Sequence, residues 1–141
     1  MALGARVAIN QGVVYALVGD GGFGHVWSEM ETAARMGIKV VTILINNGIL
    51  GYQKHAECLK YGAHTSAVNF ADVDHAAVAR SSGIHGVRVS DPADLAKVLA
   101  DAAKSDKSTL IEVLCTNQAF PPITFYSPDA LDCIEYARSE E

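Results

Sequence analysis

Two apolar runs rich in β-branched residues constrain the fold of this chain more than any other feature of its sequence. The first is VVYALVG at residues 13–19 and the second is KVVTILIN at residues 39–46; a glycine ends one and an asparagine ends the other. Continuous apolar runs of this length are typical of parallel strands that are buried on both faces. Because the stretch between them has room for one helix, we predict a strand, a helix and a second, parallel strand.

The remainder of the sequence continues this alternation. We predict helices over residues 26–36, 73–83 and 91–106, strands over residues 85–89 and 108–115, and the last turns of a helix over residues 1–9. Asp91 is the expected N-cap of its helix, with Pro92 at the first helical position. The side chains of the 26–36 helix that have near-helical spacing are Val26, Met30, Ala33, Ala34 and Met36. The pattern predicts an α/β fold, doubly wound, with a mainly parallel sheet and helices on both faces.

Composition narrows the class of protein. At 141 residues, with 50% hydrophobic and 19% charged residues, the chain is globular and long enough for one domain. The net charge of −5 opposes a nucleic-acid interface, which needs clustered Lys and Arg. Neither a membrane-spanning run nor a signal peptide is evident, so we expect no membrane contact. Cys58, Cys115 and Cys133 are odd in number and widely spaced, which favours reduced thiols and a cytoplasmic protein over a disulfide framework or a zinc site.

Polar residues follow both apolar runs at the point where each predicted strand ends. Asp20 follows the first strand, within the sequence Gly-Asp-Gly, and Asn46 and Asn47 end the second. Because ligands of such sheets bind beyond the carboxyl ends of the strands, we expect these side chains to lie at one edge. The glycines around Asp20 let the backbone approach a ligand closely. The helix beginning near Val26 presents N–H groups that suit a diphosphate.

A carboxylate beside a diphosphate needs a cation between them, because the two anions repel. Mg²⁺ prefers hard oxygen ligands and commonly joins protein carboxylates to substrate phosphates. Asp20 supplies one such oxygen and an Asn amide supplies a neutral one. The residues therefore predict a Mg²⁺ and diphosphate site at this edge of the sheet.

Each motif alone also has a structural interpretation, since Gly-Asp-Gly is common in tight turns and Asn-Asn-Gly is a normal turn after a strand. Their joint placement at two strand ends is more specific. A nicotinamide site is the main rival, but GDGGFG lacks the order G-x-G-x-x-G and no acidic residue ends the second strand. A Walker loop is excluded because the chain contains no Gly-Lys-Ser or Gly-Lys-Thr.

The spacing of the two motifs resembles that of a known cofactor signature. GDG followed after 24 residues by NN is similar to the thiamin-diphosphate-binding motif. The segments ALGARVA, GDGGF, SEMET and IKVVTILINNGILGY resemble the C-terminal, diphosphate-binding domain of acetolactate-synthase-like enzymes, over about residues 2–115. The resemblance implies thiamin diphosphate and Mg²⁺ as cofactors and a 2-oxoacid as the substrate of decarboxylation or carboligation.

The resemblance also implies roles for individual residues. Mg²⁺ is expected to bind Asp20, the side chain of Asn47 and the backbone carbonyl of Ile49. Residues 21–23 are expected along the diphosphate, and residues 50–52 towards the thiazolium ring. The full set of cofactor-binding residues is Gly19, Asp20, Gly21, Gly22, Phe23, Asn47, Ile49, Leu50, Gly51 and Tyr52.

No catalytic residue is assigned within this chain. The family uses a Glu from a separate pyrimidine-binding domain, and none of Glu29, Glu31 or Glu57 takes its role by position. The apolar residue that precedes the ALGA segment in the family is also missing before Met1. We therefore expect a fragment or a separately encoded subunit, inactive alone, that needs a pyrimidine-binding domain or subunit and forms a homo- or hetero-oligomer. The alternative is a non-catalytic diphosphate- or nucleotide-binding module that retains the fold.

The domain organisation follows from the same resemblance. Residues 1–115 are expected to form an N-terminally truncated cofactor-binding domain, and residues 116–141 a tail with a short helix after Ser127. His25 and His55 fall near the predicted edge, either as acid–base groups or as exposed loop residues. Asp74 and His75 are expected to begin a helix rather than to form a catalytic dyad. His64 and His85 are expected to be structural.

Overall fold

The computed structural model describes residues 1–9 and 11–118, and the chain divides into two compact units. We call Met1–Asn47 together with Val73–Cys115 the sheet unit. The second unit comprises Gly48–Asp72 and the stretch that begins at Thr116. Each unit is described by itself. The expected helix after Ser127 lies outside the described residues.

The helices and strands alternate along the chain. In order, they are α1 (Ala2–Ala8), β1 (Tyr15–Gly19), α2 (Asp20–Phe23), α3 (Glu29–Arg35), β2 (Val41–Asn46), α4 (Gly51–Tyr61), a 3₁₀ turn (Ser66–Val68), α5 (His75–Ser81), β3 (His85–Val89), α6 (Pro92–Lys104) and β4 (Thr109–Leu114). In the part of the chain that the structure describes, no helix is long and apolar enough to span a membrane.

The four strands form one parallel sheet in the order β1-β2-β4-β3. Val41 pairs with both Tyr15 and Thr109, so β2 lies between β1 and β4 in register. The chain moves one way across the sheet from β1 to β3 and then turns back to β4. Because crossovers of this kind are right-handed, α6, which connects β3 to β4, lies on the opposite face from α2, α3 and α5. The predicted doubly wound α/β fold is confirmed.

Alternate residues of the strands face two separate cores. On one face, which we call the α5 face, α2, α3 and α5 pack over Leu44 and Leu110. On the other, the α6 face, α6 packs over Val41, Val89 and Ile111. The buried members of the α5-face core are Phe23, Met30, Ala33, Leu44, Ala79, Ile84 and Leu110. Side chains at successive strand positions point to opposite faces, which explains why the β2 run is apolar throughout. In β1, Tyr15 and Leu17 are 51% and 73% exposed, so the expected burial on both faces is wrong for this strand.

The helix predicted over residues 26–36 is shorter than expected. Asp20–Phe23 forms a helical turn, tight turns follow, and α3 begins only at Glu29. The bonds between them join each N–H to the carbonyl three residues earlier, for example Val26 to Phe23 at 2.9 Å. Glycines favour such a break, because their helix propensity is low. Val26 and Met36, which lie on either side of α3, are 44% and 61% exposed, whereas Met30 and Ala33 within it are buried.

The helix starts that carry a capping residue are confirmed. Asp74 accepts a hydrogen bond from Ala77 N (2.7 Å) at the start of α5, and Asp91 accepts one from Ala93 N (2.9 Å) at the start of α6. Each bond satisfies a backbone N–H that the helix leaves without an internal acceptor.

The second unit holds the helix that the sequence pattern missed. α4 begins at Gly51 with no side-chain cap and ends at Tyr61; the C-cap that follows, Gly62, has a φ of 72°, which suits a residue without a Cβ. A short antiparallel bridge joins Ile49 to Asn69, flanked by a 2.8 Å bond from Leu50 N to Val68 O. Because α4 lacks a capping side chain, the sequence carries no local signal for its start.

Candidate functional site

The two motif halves end neighbouring strands of the sheet unit. Gly19, the last residue of β1, pairs with Ile45 in β2, so Asp20 and Asn46 follow at the same level of the sheet. Both strands run in the same direction, which places Asp20 and Asn47 at the carboxyl edge. This is the edge where open α/β sheets bind ligands. The sequence-based expectation that the two motifs share one edge is therefore met.

Asp20 is largely enclosed although it lies at the end of a strand. Its side chain begins the helical turn α2, the residue is only 7% exposed, and its Oδ1 accepts a hydrogen bond from Gly21 N at 2.9 Å. A Cβ placed on Gly19 would meet no atom within 4 Å, so space is open beside the backbone at the end of β1. Phe23 directs its side chain into the core, and only its backbone can serve a ligand at this edge.

The two asparagines differ in their surroundings. Asn46 is buried, and its Nδ2 donates a 2.7 Å hydrogen bond to Glu112 Oε1, while its backbone carbonyl accepts a bond from Cys115 N at 2.8 Å. Asn47 is half-buried and directly follows this tethered residue. The end of β2 is therefore held to β4 through both main chain and side chain.

Glu112 is the residue near this edge that sequence reasoning missed. Its side chain is fully buried and also accepts a bond from Ala76 N at 3.1 Å, and Arg88 Nε lies 3.6 Å from Oε2. The available signal was a single carboxylate within the otherwise apolar run STLIEVLC, since a lone acid in a strand buried on both faces needs partners.

The remaining predicted cofactor residues belong to the second unit. Ile49 is buried and its carbonyl accepts a bond from Gly51 N at 3.0 Å. Gly51 begins α4, while Leu50 and Tyr52 are exposed, Tyr52 to 72%.

The histidines divide into exposed and buried groups. His25 is exposed, as one of the two interpretations of the sequence held. His55 is buried within α4, so its interpretation as an exposed loop residue is wrong. His75 begins α5 next to the capping Asp74, and its ring packs edge-on against Phe23 and Trp27 at centroid distances of 6.1 and 5.4 Å. The expected structural role of His75 agrees with this packing.

The donor chemistry of the edge suits one type of metal. Within residues 1–9 and 11–118, no group of three or more His, Cys, Asp or Glu side chains could hold a metal ion. A site built on Asp20 and Asn47 therefore offers one carboxylate and neutral amide or carbonyl oxygens. Such a set fits Mg²⁺, which keeps few protein ligands and shares the rest with a phosphate.

Comparison with known proteins agrees with this geometry. Residues 1–113 match the family described as "Thiamine pyrophosphate enzyme, C-terminal TPP binding domain". The chain is 37% identical, over 113 residues, to the acetolactate synthase large subunit of Mycobacterium tuberculosis. The aligned region covers 80% of this chain and 21% of that protein.

Two solved structures share the fold. The thiamine diphosphate-dependent 4-hydroxybenzoylformate decarboxylase of Rhodococcus jostii superposes with a TM-score of 0.78 at 28% identity, covering 86% of this chain and 23% of that one. The benzoylformate decarboxylase of Polynucleobacter necessarius gives 0.77 at 21% identity with the same coverage of both chains, 86% and 23%. The chain thus spans about a fifth of the relatives it matches. From the match over residues 1–113 and the identity to acetolactate synthase, we conclude that the chain belongs to the C-terminal TPP-binding domains of thiamine pyrophosphate enzymes, of the acetolactate-synthase type.

Proposed function

We propose that this chain binds the diphosphate of thiamin diphosphate through Mg²⁺, as part of an acetolactate-synthase-like enzyme that decarboxylates or ligates 2-oxoacids. The observation that supports it most directly is that Asp20 and Asn47 follow neighbouring, in-register strands at the carboxyl edge of the sheet. Thiamin diphosphate, when bound, supplies the electron sink that such reactions of 2-oxoacids require. The chain supplies binding and electrostatics.

In this proposal each residue has a distinct task. The Asp20 carboxylate, the Asn47 side chain and the Ile49 carbonyl are Mg²⁺ ligands, and the cation offsets the repulsion between Asp20 and the diphosphate. The backbone of residues 21–23 lies along the diphosphate, where glycines permit close approach. Leu50, Gly51 and Tyr52 line the pocket towards the thiazolium ring. No residue of this chain is proposed as an acid or base.

The proposed enzyme needs parts that lie outside residues 1–115. Most of the length of the matched acetolactate synthase subunit lies outside the matched region, since this chain covers 21% of it. We propose that a pyrimidine-binding domain or subunit completes the site, within a cytoplasmic oligomer. The exposed apolar side chains of β1, Tyr15 and Leu17, favour assembly. Light scattering should detect a dimer or larger at tens of micromolar concentration, and a clean monomer would contradict the proposed assembly.

The test of the site is calorimetric titration of the chain with thiamin diphosphate. Binding should be measurable only with Mg²⁺ present, and Asp20→Ala should weaken it by more than about 2 kcal/mol, because the cation loses its charged ligand. Asp106→Ala is the matched control: it removes the same charge from the exposed turn before β4, at the opposite edge of the sheet. Equal affinity with and without Mg²⁺, or equal losses in the two variants, would refute the proposed site.

A second experiment concerns activity. The chain with thiamin diphosphate, Mg²⁺ and pyruvate should release no carbon dioxide, because the activating Glu is supplied from elsewhere, and acid–base assistance is typically worth about 10²–10⁴ in rate. Adding a pyrimidine-binding domain from the natural partner should restore release. Turnover by the chain alone would contradict the dependence on a partner, and no gain on addition would favour a non-catalytic module.

A further inference from the structure

The Glu112 carboxylate joins three separate segments of the sheet unit. It lies in the middle of β4, where its Cα pairs with Leu44 in β2 and with Arg88 in β3. Its Oε1 accepts a hydrogen bond from the end of β2, and its Oε2 accepts one from the first turn of α5. The side chain is 0% exposed, so these bonds are made in an environment where water cannot replace them.

The contact with Asn46 sets the orientation of that amide. A carboxylate only accepts hydrogen bonds, so Asn46 must present its NH₂ group to Glu112, at 2.7 Å, with its carbonyl oxygen on the other side of the amide. A bond to a charged acceptor is stronger than one between neutral groups. Together with the 2.8 Å bond from Cys115 N to the Asn46 carbonyl, this fixes both the backbone and the side chain of Asn46 against β4.

Arg88 lies beside the Glu112 carboxylate on the oxygen that does not bond Asn46. Arg88 Nε lies 3.6 Å from Oε2, and the Arg88 side chain is 30% exposed, so one end of the pair reaches solvent. The Glu112 carboxylate therefore has a cation and two N–H donors as partners inside the sheet.

We infer that Glu112 is a positioning residue for the magnesium site: it acts through Asn46 to hold Asn47 at the end of β2, where Asn47 meets the ion. The inference rests on the proposed function of Asp20 and Asn47. Residues that orient metal ligands by hydrogen bonding are typically worth about 10- to 100-fold in metal affinity. Glu112 acts from one residue further away, since it bonds Asn46, the neighbour of the proposed ligand Asn47.

The test uses the full chain in three variants, Glu112→Gln, Asn46→Ala and the double variant, with calorimetric titration of Mg²⁺ and thiamin diphosphate. Gln offers a single acceptor where Glu offers two, so one of the two donors loses its partner. Glu112→Gln should weaken binding about tenfold or more. In the Asn46→Ala background the same change should have no further effect, because the connection is already broken.

A matched control separates positioning from stability. Leu110→Ala truncates a fully buried residue two positions before Glu112 on the same face, and it leaves the hydrogen bond between Glu112 and Asn46 in place. Affinity for the cofactor should be unchanged in the folded fraction of this variant. Equal weakening in Leu110→Ala, or additive effects of Glu112→Gln and Asn46→Ala, would overturn the inference and leave the proposed function intact.

A measurement on the unsubstituted chain keeps the inference falsifiable if Glu112→Gln does not fold. The Asn46 side-chain amide should exchange its protons slowly in ¹⁵N NMR spectra without any ligand, because it is buried and bonded to a carboxylate. Exchange at the rate of a solvent-exposed Asn amide would overturn the inference. Protection of this amide together with no Mg²⁺-dependent binding by the unsubstituted chain would refute the proposed function and the role in magnesium binding together.

Discussion

Glu112 in the sheet unit and Glu57 in the second unit accept bonds from the same two kinds of donor in opposite environments. Glu112 accepts from the Asn46 side chain and from Ala76 N, inside the protein. Glu57 accepts from the Gln53 side chain at 2.8 Å and from Thr65 N at 2.8 Å, at the surface. An unmade hydrogen bond is costly in the interior and is replaced by water at the surface. The hydrogen bonds of Glu112 are therefore needed for the fold, whereas those of Glu57 can break with little loss of stability.

The two carboxylates also differ in how their donors are reached along the chain. The donors of Glu57 are four and eight residues away, whereas those of Glu112 are 66 and 36 residues away. The first set depends on one helix and the turn after it. The second set exists only once β2, β4 and α5 have packed together, so it couples the site edge to the global fold.

The largest expected effect is a difference in the free energy of unfolding between variants of Glu112 and of Glu57. Glu112→Ala should lower the free energy of unfolding by about 3 kcal/mol or more, because it leaves the Asn46 amide and the Ala76 N–H buried without their acceptor. Glu57→Ala is the matched substitution and should change global stability far less. Chemical denaturation with a two-state fit measures both, and similar losses would contradict the distinction between buried and exposed carboxylates.

The next effect concerns the close packing that surrounds Glu112. A Cβ on Gly86 in β3 would overlap the carbonyl group of Ala76 in α5, so Gly86→Ala should push α5 from the sheet and cost about 1–3 kcal/mol or more. Gly4→Ala is the control, because a Cβ there meets no atom within 4 Å and α1 should gain about 0.5–1 kcal/mol. Thermal unfolding of both variants checks the opposite signs, and equal signs would show that α5 adjusts freely.

Helix caps provide a smaller test of the same region. Asp74 caps α5, whose Ala76 N–H bonds Glu112, and Asp91 caps α6 on the other face. Replacing either by Ala should cost about 1 kcal/mol, whereas Asn retains the acceptor and should cost less. Hydrogen exchange at Ala76 N should quicken in Asp74→Ala only. The same exchange rate at Ala76 N in both Ala variants would contradict a specific effect of the Asp74 cap on this N–H.

The smallest expected effect is the pH response of Glu57. The bond from Thr65 N, with help from the Gln53 side chain, holds the pKa of Glu57 below its usual value. A lowered pKa in the folded state means that the ionised group contributes stability above the ordinary pKa of a Glu, and that this contribution is lost as pH falls through the lowered value. Exchange at Thr65 N should therefore quicken in acid after correction for the intrinsic rate, and Glu57→Gln should remove this dependence. A persistent pH response in Glu57→Gln would assign it to another group.

The sequence by itself determined the elements whose signals are local. β3 was predicted at the residues where it occurs, and α6 begins at Pro92 after the Asp91 cap, because capping and β-branched runs act within a few residues. The edge shared by Asp20 and Asn47 was also predictable, since parallel strands end at a common edge. The same local reasoning failed for α4, which has no capping side chain, and for residues 26–28, where turns replaced the first turn of the helix.

Only the tertiary structure decided what surrounds the site. Nothing within a few residues of Glu112 indicates that its carboxylate bonds Asn46 and Ala76, because these donors come from distant segments that meet only after the sheet and α5 have packed. The need for glycine at position 86 has the same origin, since the backbone of Ala76 occupies the space of a Cβ. A buried polar group must find its partners wherever the fold places them, so their identity is a property of the packed chain and not of local sequence.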